Sequence, residues 1–430
     1  MLNLIQFELT KLMKSKFFQL MLLISSIFVL TYFVFIYTNT IRANDLQAES
    51  EAKIINVSNE LAELEESIKK GEVKADDEEV VLRITDLKGI IEEHKVKLNG
   101  YKNEDWMALL DMELDHLEPI VKRDLANFDY YTSTWQTLFT TETNYEQYKW
   151  MREHEIIPVY PINSLAYRTA YDVVYDLPGL EESIKKLSTK YSSTGIYYVH
   201  HLFSVIFSVF GASFFLLLFG DIVTRERLGT SGPIQLLRSQ PIRRGYILVS
   251  KFVTVVIATL LLLFGIGVFA LLLGTIFDRL GHWNYPVLIY GEKYSFYFMN
   301  MSTFLIKSMI LFIMVLLFCY ALLFLFSVLT KRVPVAISLV LTTLFLGMNM
   351  SEASSLSAFA PYSPFHYFSV SKVVTNELAV TMKNFTFSFS TGMMTLALAT
   401  VLVLMATFLL ATLQEKLIVR RPAKIRIESA

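Results

Sequence analysis

A chain of 430 residues that is 53% hydrophobic, 14% aromatic and only 18% charged is too apolar for one soluble domain, and its charged residues are bunched rather than spread. The formal net charge of -1 names no partner class by itself, and no nucleic-acid partner is expected. The single cysteine, Cys319, excludes an intrachain disulfide and a cysteine-based metal cluster.

In chain order, residues 1–16 are expected to form a cytoplasmic amphipathic helix on the inner headgroup surface. Leu2, Ile5, Leu9 and Leu12 make its apolar stripe and Lys11 and Lys14 lie off it; the plainer alternative is a basic flank to the first span. Apolar runs of about twenty residues, enough to cross a ~30 Å hydrocarbon core as helix, recur at 17–41, 196–220, 247–277, 303–329, 333–350 and 386–413. These are read as six transmembrane helices. The first follows Lys11, Lys14 and Lys16 as a secretory signal would, but its apolar core is too long and "YTNTIRAND" offers no small-residue cleavage pattern, so it is expected to stay as an anchor. The fifth is the shortest: Pro334 suits a first helical turn, while Asn349 and Ser351 end the apolar run early.

Lysine and arginine fall on one side of this plan. Lys11, Lys14 and Lys16 precede span one, five arginines separate spans two and three, Lys331 and Arg332 separate four and five, and Lys416, Arg420, Arg421, Lys424 and Arg426 lie in the tail 414–430. Short loops rich in these residues stay cytoplasmic, so both termini are expected inside the cell membrane and segment 42–195 outside. The segment 351–385 falls on the outer side.

The insert 42–195 holds 31 of the 40 acidic residues against 18 basic ones, a local net charge of -13. Ile54, Val57, Leu61, Leu64 and Ile68 follow a 3,4 spacing, which Ile84, Leu87, Ile91 and Leu98 resume with His94 between; this predicts a helical hairpin. A third helix is expected through Leu110, Leu114, Leu117, Val121, Leu125 and Phe128, and a short one from "LPGLEESIKKL". The rest of 129–195, rich in tyrosine and interrupted by Pro158, Pro161 and Pro178, reads as less regular. Its acidity either attracts a cationic ligand, such as an antimicrobial peptide, or simply solvates the helical faces through i,i+4 charge pairs. The fold class is thus an all-α polytopic membrane protein with six transmembrane helices and a mainly helical extracellular domain between helices 1 and 2.

No glycine-rich loop ending in Gly-Lys-Ser/Thr is present to cradle ATP. No span carries a carboxylate at mid-depth, and Lys307, near the outer end of span four, reads as the only clear intramembrane charge. An ion-driven carrier would need an ionisable relay or a broken-helix site at the midplane, and neither is evident. His200 and His201 are adjacent and so point to different helix faces, which disfavours joint metal binding. No catalytic, cofactor-binding or metal residue is assigned.

The cytoplasmic loop 221–246 contains "RERLGTSGPIQLLRSQPIRRGY", with five arginines and two prolines. Thr230 or Ser231 suits a helix cap, Pro233 a first turn, Ile234, Leu236 and Leu237 an apolar face, and Pro241 a stop. The arginines are explained by topology alone or by contacts with partner carboxylates and inner-leaflet phosphates.

Read with the prolines, Glu226, Gly229, Leu236, Leu237, Pro241, Ile242, Arg243 or Arg244, and Lys251 resemble the loop of ABC-2 class ATP-binding-cassette exporter permeases. The bacterial sodium-efflux and antibiotic-resistance type, with its large insert between the first two spans, is the nearest pattern. "APYSPFHYFSVSKVV" resembles the segment that precedes the last span in that class, often as short re-entrant or surface helices. The resemblance implies a transport subunit, not an enzyme, with ATP and magnesium held by a separate ATPase subunit and no cofactor on this chain. It implies that Glu226, Gly229, Ile234, Leu236, Leu237, Arg238, Pro241, Arg243 and Arg244 couple to that ATPase, and that a second permease chain completes the pathway in the lipid bilayer. The cargo expected is an amphipathic or hydrophobic molecule, such as a peptide antibiotic or lipid-like compound, or sodium. The alternative is a membrane-anchored sensor or scaffold that binds through the acidic insert.

Overall fold

The computed structural model describes residues 2–72, 74, 77–122, 137–162, 168–172, 179, 181–182, 188, 190–220, 222, 244–330, 332–353 and 359–419. In chain order its helices are α1 (Leu2–Met13), α2 (Lys16–Asn39), α3 (Ala43–Lys69), α4 (Glu78–Lys102), α5 (Trp106–Val121), α6 (Leu138–Glu153), α7 (Gly195–Ile206), α8 (Val209–Phe219), α9 (Arg244–Phe277), α10 (Met301–Leu329), α11 (Val333–Ala353), α12 (Val370–Val374), α13 (Glu377–Thr381) and α14 (Phe389–Val419). Two strands, β1 (Pro286–Tyr290) and β2 (Phe296–Asn300), pair between α9 and α10. The chain divides into a unit of residues 1–33, 198–273 and 287–430, and a second of residues 34–197 and 274–286.

Among the described residues five helices, α2, α9, α10, α11 and α14, are long and apolar enough to cross a membrane. A sixth span would be the pair α7 and α8, which is bent by 73°. The sequence reads 196–220 as one uninterrupted helix, and the structure corrects this. Ser208 is extended and caps α8, its hydroxyl accepting from Phe210 N at 3.2 Å. Gly211 permits the bend: a Cβ there would lie 1.9 Å from the Ile206 carbonyl oxygen. Stacked rings of Phe203, Phe207 and Phe312, with centroids 4.6 and 4.7 Å apart, fill the corner.

The first unit is built around α10. That helix is apolar on every side, and Leu311, Phe312, Val315, Cys319 and Leu323 are fully buried, as expected of a helix enclosed by others. A buried hydrogen bond between Thr259 Oγ1 and Tyr320 Oη at 2.7 Å ties it to α9. The α11 helix starts one residue before Pro334 and runs through Asn349 and Ser351, three residues beyond the apolar run that predicts it. Segment 359–381 folds into short helical turns, including α12 and α13, and Tyr367 Oη donates to the Pro361 carbonyl at 2.6 Å. The β-hairpin is an element that hydropathy reading misses; Asn376 Nδ2 holds its Tyr290 carbonyl at 2.8 Å.

In the second unit α3 and α4 form the hairpin that the heptad spacing predicts, with Val57 and Leu87 buried. Gln47 Nε2 donates to the Tyr101 carbonyl at 3.1 Å, Lys102 pairs with Glu51 at 2.8 Å, and Arg83 pairs with Glu60. Helix α5 ends at Val121, and Leu125 and Phe128 lie outside the described residues, as does most of "LPGLEESIKKL". Helix α6 lies inside the stretch that reads as irregular. Its buried face carries Thr140, Thr141, Thr143 and Asn144 beside Phe139, Tyr148 and Met151, so an apolar periodicity search passes over it. Its cap is tied into a polar knot: Asp172 accepts from the backbone N–H of Thr137 (2.9 Å) and Thr169 (2.7 Å) and from the Thr140 hydroxyl (2.8 Å).

Candidate functional site

Of the residues expected to couple to an ATPase, Glu226, Gly229, Ile234, Leu236, Leu237, Arg238, Pro241 and Arg243 lie outside the described residues. Arg244 opens α9, with its side chain likewise undescribed. The structure does describe a residue at the start of the loop, Ile222, and Lys251, the last member of the motif, just after its end.

Lys251 lies seven residues into α9, about 10 Å along its axis from Arg244. Its ammonium is buried, donating to the Ile222 carbonyl at 3.0 Å and pairing with Glu8 Oε1 at 3.0 Å. Glu8 comes from α1 and is also buried; Lys11 Nζ stands 3.9 Å from its other carboxylate oxygen. Three separate parts of the chain therefore meet at one charge: α1, the residue that enters the loop, and the helix that leaves it. A buried ion pair whose ammonium is further held by a carbonyl tolerates little displacement, because separating the charges leaves one of them desolvated and alone.

Along the stripe of α1, Leu12 is buried, Ile5 and Leu9 are half-buried and Leu2 is exposed, with Glu8 buried beside them. The acid is on the inward face because Lys251 is there to receive it. Lys251 also joins Lys307 as a charge within a predicted span. Lys307 is half-buried and faces the Phe389 ring, with its nitrogen 5.8 Å from the ring centre.

Gly274 lies at a close backbone approach, where a Cβ would meet the backbone of Gly195 at 2.5 Å. Gly265 instead lines a cavity of about 270 Å³ between α2 and α9, walled by Phe18, Leu22, Leu262 and Phe269. His200 and His201 have ring centroids 5.6 Å apart, and His200 packs edge-on against Phe304. Among the described residues no three His, Cys, Asp or Glu side chains come close enough to hold a metal ion.

The apolar helices, arranged around a largely buried α10, define an all-α polytopic membrane protein. The ABC-2 family transporter protein model matches residues 2–416, and the chain belongs to that family. It is a membrane permease subunit of an ATP-binding-cassette transporter, a class that works with an ATPase subunit at the membrane. Comparison with curated proteins and with solved structures gives no match.

Proposed function

We propose that this permease takes the motion of a separate ATPase, which holds ATP and magnesium, through a two-turn helix between Gly229 and Pro241, and uses it to export an amphipathic or hydrophobic molecule or sodium. The apolar face of Ile234, Leu236 and Leu237 docks on the ATPase, with Arg238, Arg243 and Arg244 meeting its carboxylates and Glu226 bracing the loop. Both termini and this loop are cytoplasmic, the insert 42–195 is extracellular, and a second permease chain, identical or not, faces the first across the pathway.

The observation that carries the reading is the Glu8–Lys251 pair with its bond to the Ile222 carbonyl. A loop that receives a push needs both of its ends fixed to the helices it drives, and Lys251 ties the entering strand of the loop to α9 and to α1 through one ammonium.

Co-expression with its cognate ATPase tests it. The two should co-purify, hydrolysis should change when the permease is reconstituted, and Leu237→Asp should uncouple hydrolysis from transport or abolish assembly while membrane insertion stays normal. A Leu237→Asp chain that assembles and transports like the parent would overturn the docking role, and failure to recruit any ATPase would favour a sensor or scaffold.

A further inference from the structure

The second unit contains a cavity of about 300 Å³ that none of the roles above uses. Its wall includes two guanidinium groups, Arg42 and Arg279, two carboxylates, Glu104 and Asp278, and two amphipathic rings, Trp106 and Tyr160. Balanced charge of this kind gives neither a simple anion nor a simple cation a strong net attraction, and suits a ligand that carries one of each.

The position of the wall narrows the choice. It includes Thr40, Ile41 and Arg42, which directly follow the last residue of α2, and Asp278 and Arg279, which directly follow the last residue of α9. Both helices are of membrane-crossing length and hydropathy. Residues one to three positions past such a helix leave the hydrocarbon at headgroup depth, where tryptophan and tyrosine also concentrate. The zwitterion available in quantity at that depth is a phospholipid headgroup.

The polar groups are held ready by the fold. Arg42 Nη2 donates to the Tyr37 carbonyl at 2.9 Å and its guanidinium lies over the Tyr37 ring, 4.1 Å from the centre. Arg279 Nη2 donates to the Pro158 carbonyl at 3.0 Å. Among the described residues neither guanidinium forms an ion pair, so donors of both remain for a phosphate, which guanidinium recognises in a bidentate manner. Asp278 accepts from Ser193 Oγ at 2.5 Å. Glu104 sits in the left-handed backbone region, with φ of 53°, at the turn between α4 and α5. Glycine or asparagine is the comfortable residue in that conformation, so a glutamate is held there at a conformational cost.

We propose that this cavity binds the phosphoethanolamine headgroup of a membrane phospholipid, with Arg42 and Arg279 taking the phosphate and Glu104 and Asp278 the ammonium. A trimethylammonium headgroup has no N–H to give the carboxylates, and a phosphoglycerol headgroup has no cation. Ethanolamine lipid is therefore preferred to both.

The test uses the full chain in detergent, titrated with short-chain phosphatidylethanolamine, phosphatidylcholine or phosphatidylglycerol, and with water-soluble glycerophosphoethanolamine, reading thermal stabilisation and affinity. The ethanolamine lipid should bind about tenfold more tightly than the other two lipids, and Arg42→Gln should weaken all three. Glu104→Gly relieves the left-handed strain, so the ligand-free chain should melt no lower than the parent, yet its preference for ethanolamine over choline should vanish. Equal binding of the three lipids by the parent, or an unchanged preference in Glu104→Gly, would overturn the site. Glycerophosphoethanolamine binding as tightly as the short-chain lipid would overturn the membrane source of the ligand.

Discussion

Glu8 and Lys251, 243 positions apart in the chain, form a buried ion pair of 3.0 Å that joins α1 to α9. Because both groups are out of solvent, removing one strands the other. Glu8→Gln or Lys251→Met should each destabilise the first unit by about 3 kcal/mol. The double variant Glu8→Leu with Lys251→Met should recover most of that loss, since no charge is left buried. It should not recover ATPase-coupled transport if the bond to the Ile222 carbonyl transmits force. Thermal unfolding in lipid nanodiscs separates the two effects from transport, and a double variant that transports normally would show the pair to be structural only.

The bend between α7 and α8 depends on Gly211, whose added Cβ would strike the Ile206 carbonyl oxygen at 1.9 Å. Backbone offers no flexible end to move aside, so Gly211→Ala should cost about 2 to 3 kcal/mol. Ser208→Ala, which removes only the cap of α8, should cost about 1 kcal/mol. Melting temperatures of the two variants should fall in that order, and a harmless Gly211→Ala would mean that the second span straightens.

How much of this was readable beforehand varies with the kind of signal. The 3,4 spacing from Ile54 to Leu98 foretells the α3–α4 hairpin, and apolar runs foretell the five long spans, because burial or lipid contact there is written in side-chain type. The bend escapes hydropathy because Ser208 and Gly211 are averaged into an apolar window. Helix α6 escapes because its buried face is satisfied by hydroxyls rather than by leucines. The site is half legible: Lys251 belongs to a motif, whereas Glu8 looks like a surface charge until its partner, hundreds of residues away, is placed beside it. The clue was its i+4 spacing to Leu12 on an otherwise apolar face.

Asp172 receives two backbone N–H groups and the hydroxyls of Thr137 and Thr140, with oxygen acceptors facing donors throughout. Asp172→Asn keeps the shape but turns an NH2 group toward donors. It should destabilise the second unit by about 2 kcal/mol or more, measured by chemical unfolding. An isosteric change without effect would indicate that the α6 cap does not depend on the carboxylate.

Lys190 gives the second unit a pH dependence with a defined sign. Its nitrogen lies 5.8 Å from the centre of the Tyr160 ring, and burial brings its pKa down from the ordinary 10.5 to about 7. Between those values the unfolded chain holds a proton at this position that the folded chain has released. Stability should therefore rise with pH through the window from about 7 to 10.5, by at most about 1.4 kcal/mol per pH unit. The penalty is fully present below the folded value and is gone above the unfolded one. Other lysines and the tyrosines titrate near the upper end, so the informative quantity is the difference between the parent and Lys190→Met, which has no proton to lose. Unfolding followed by tryptophan fluorescence across the window should show the parent gaining on the variant as pH rises; parallel curves would mean that Lys190 keeps its charge in the folded state.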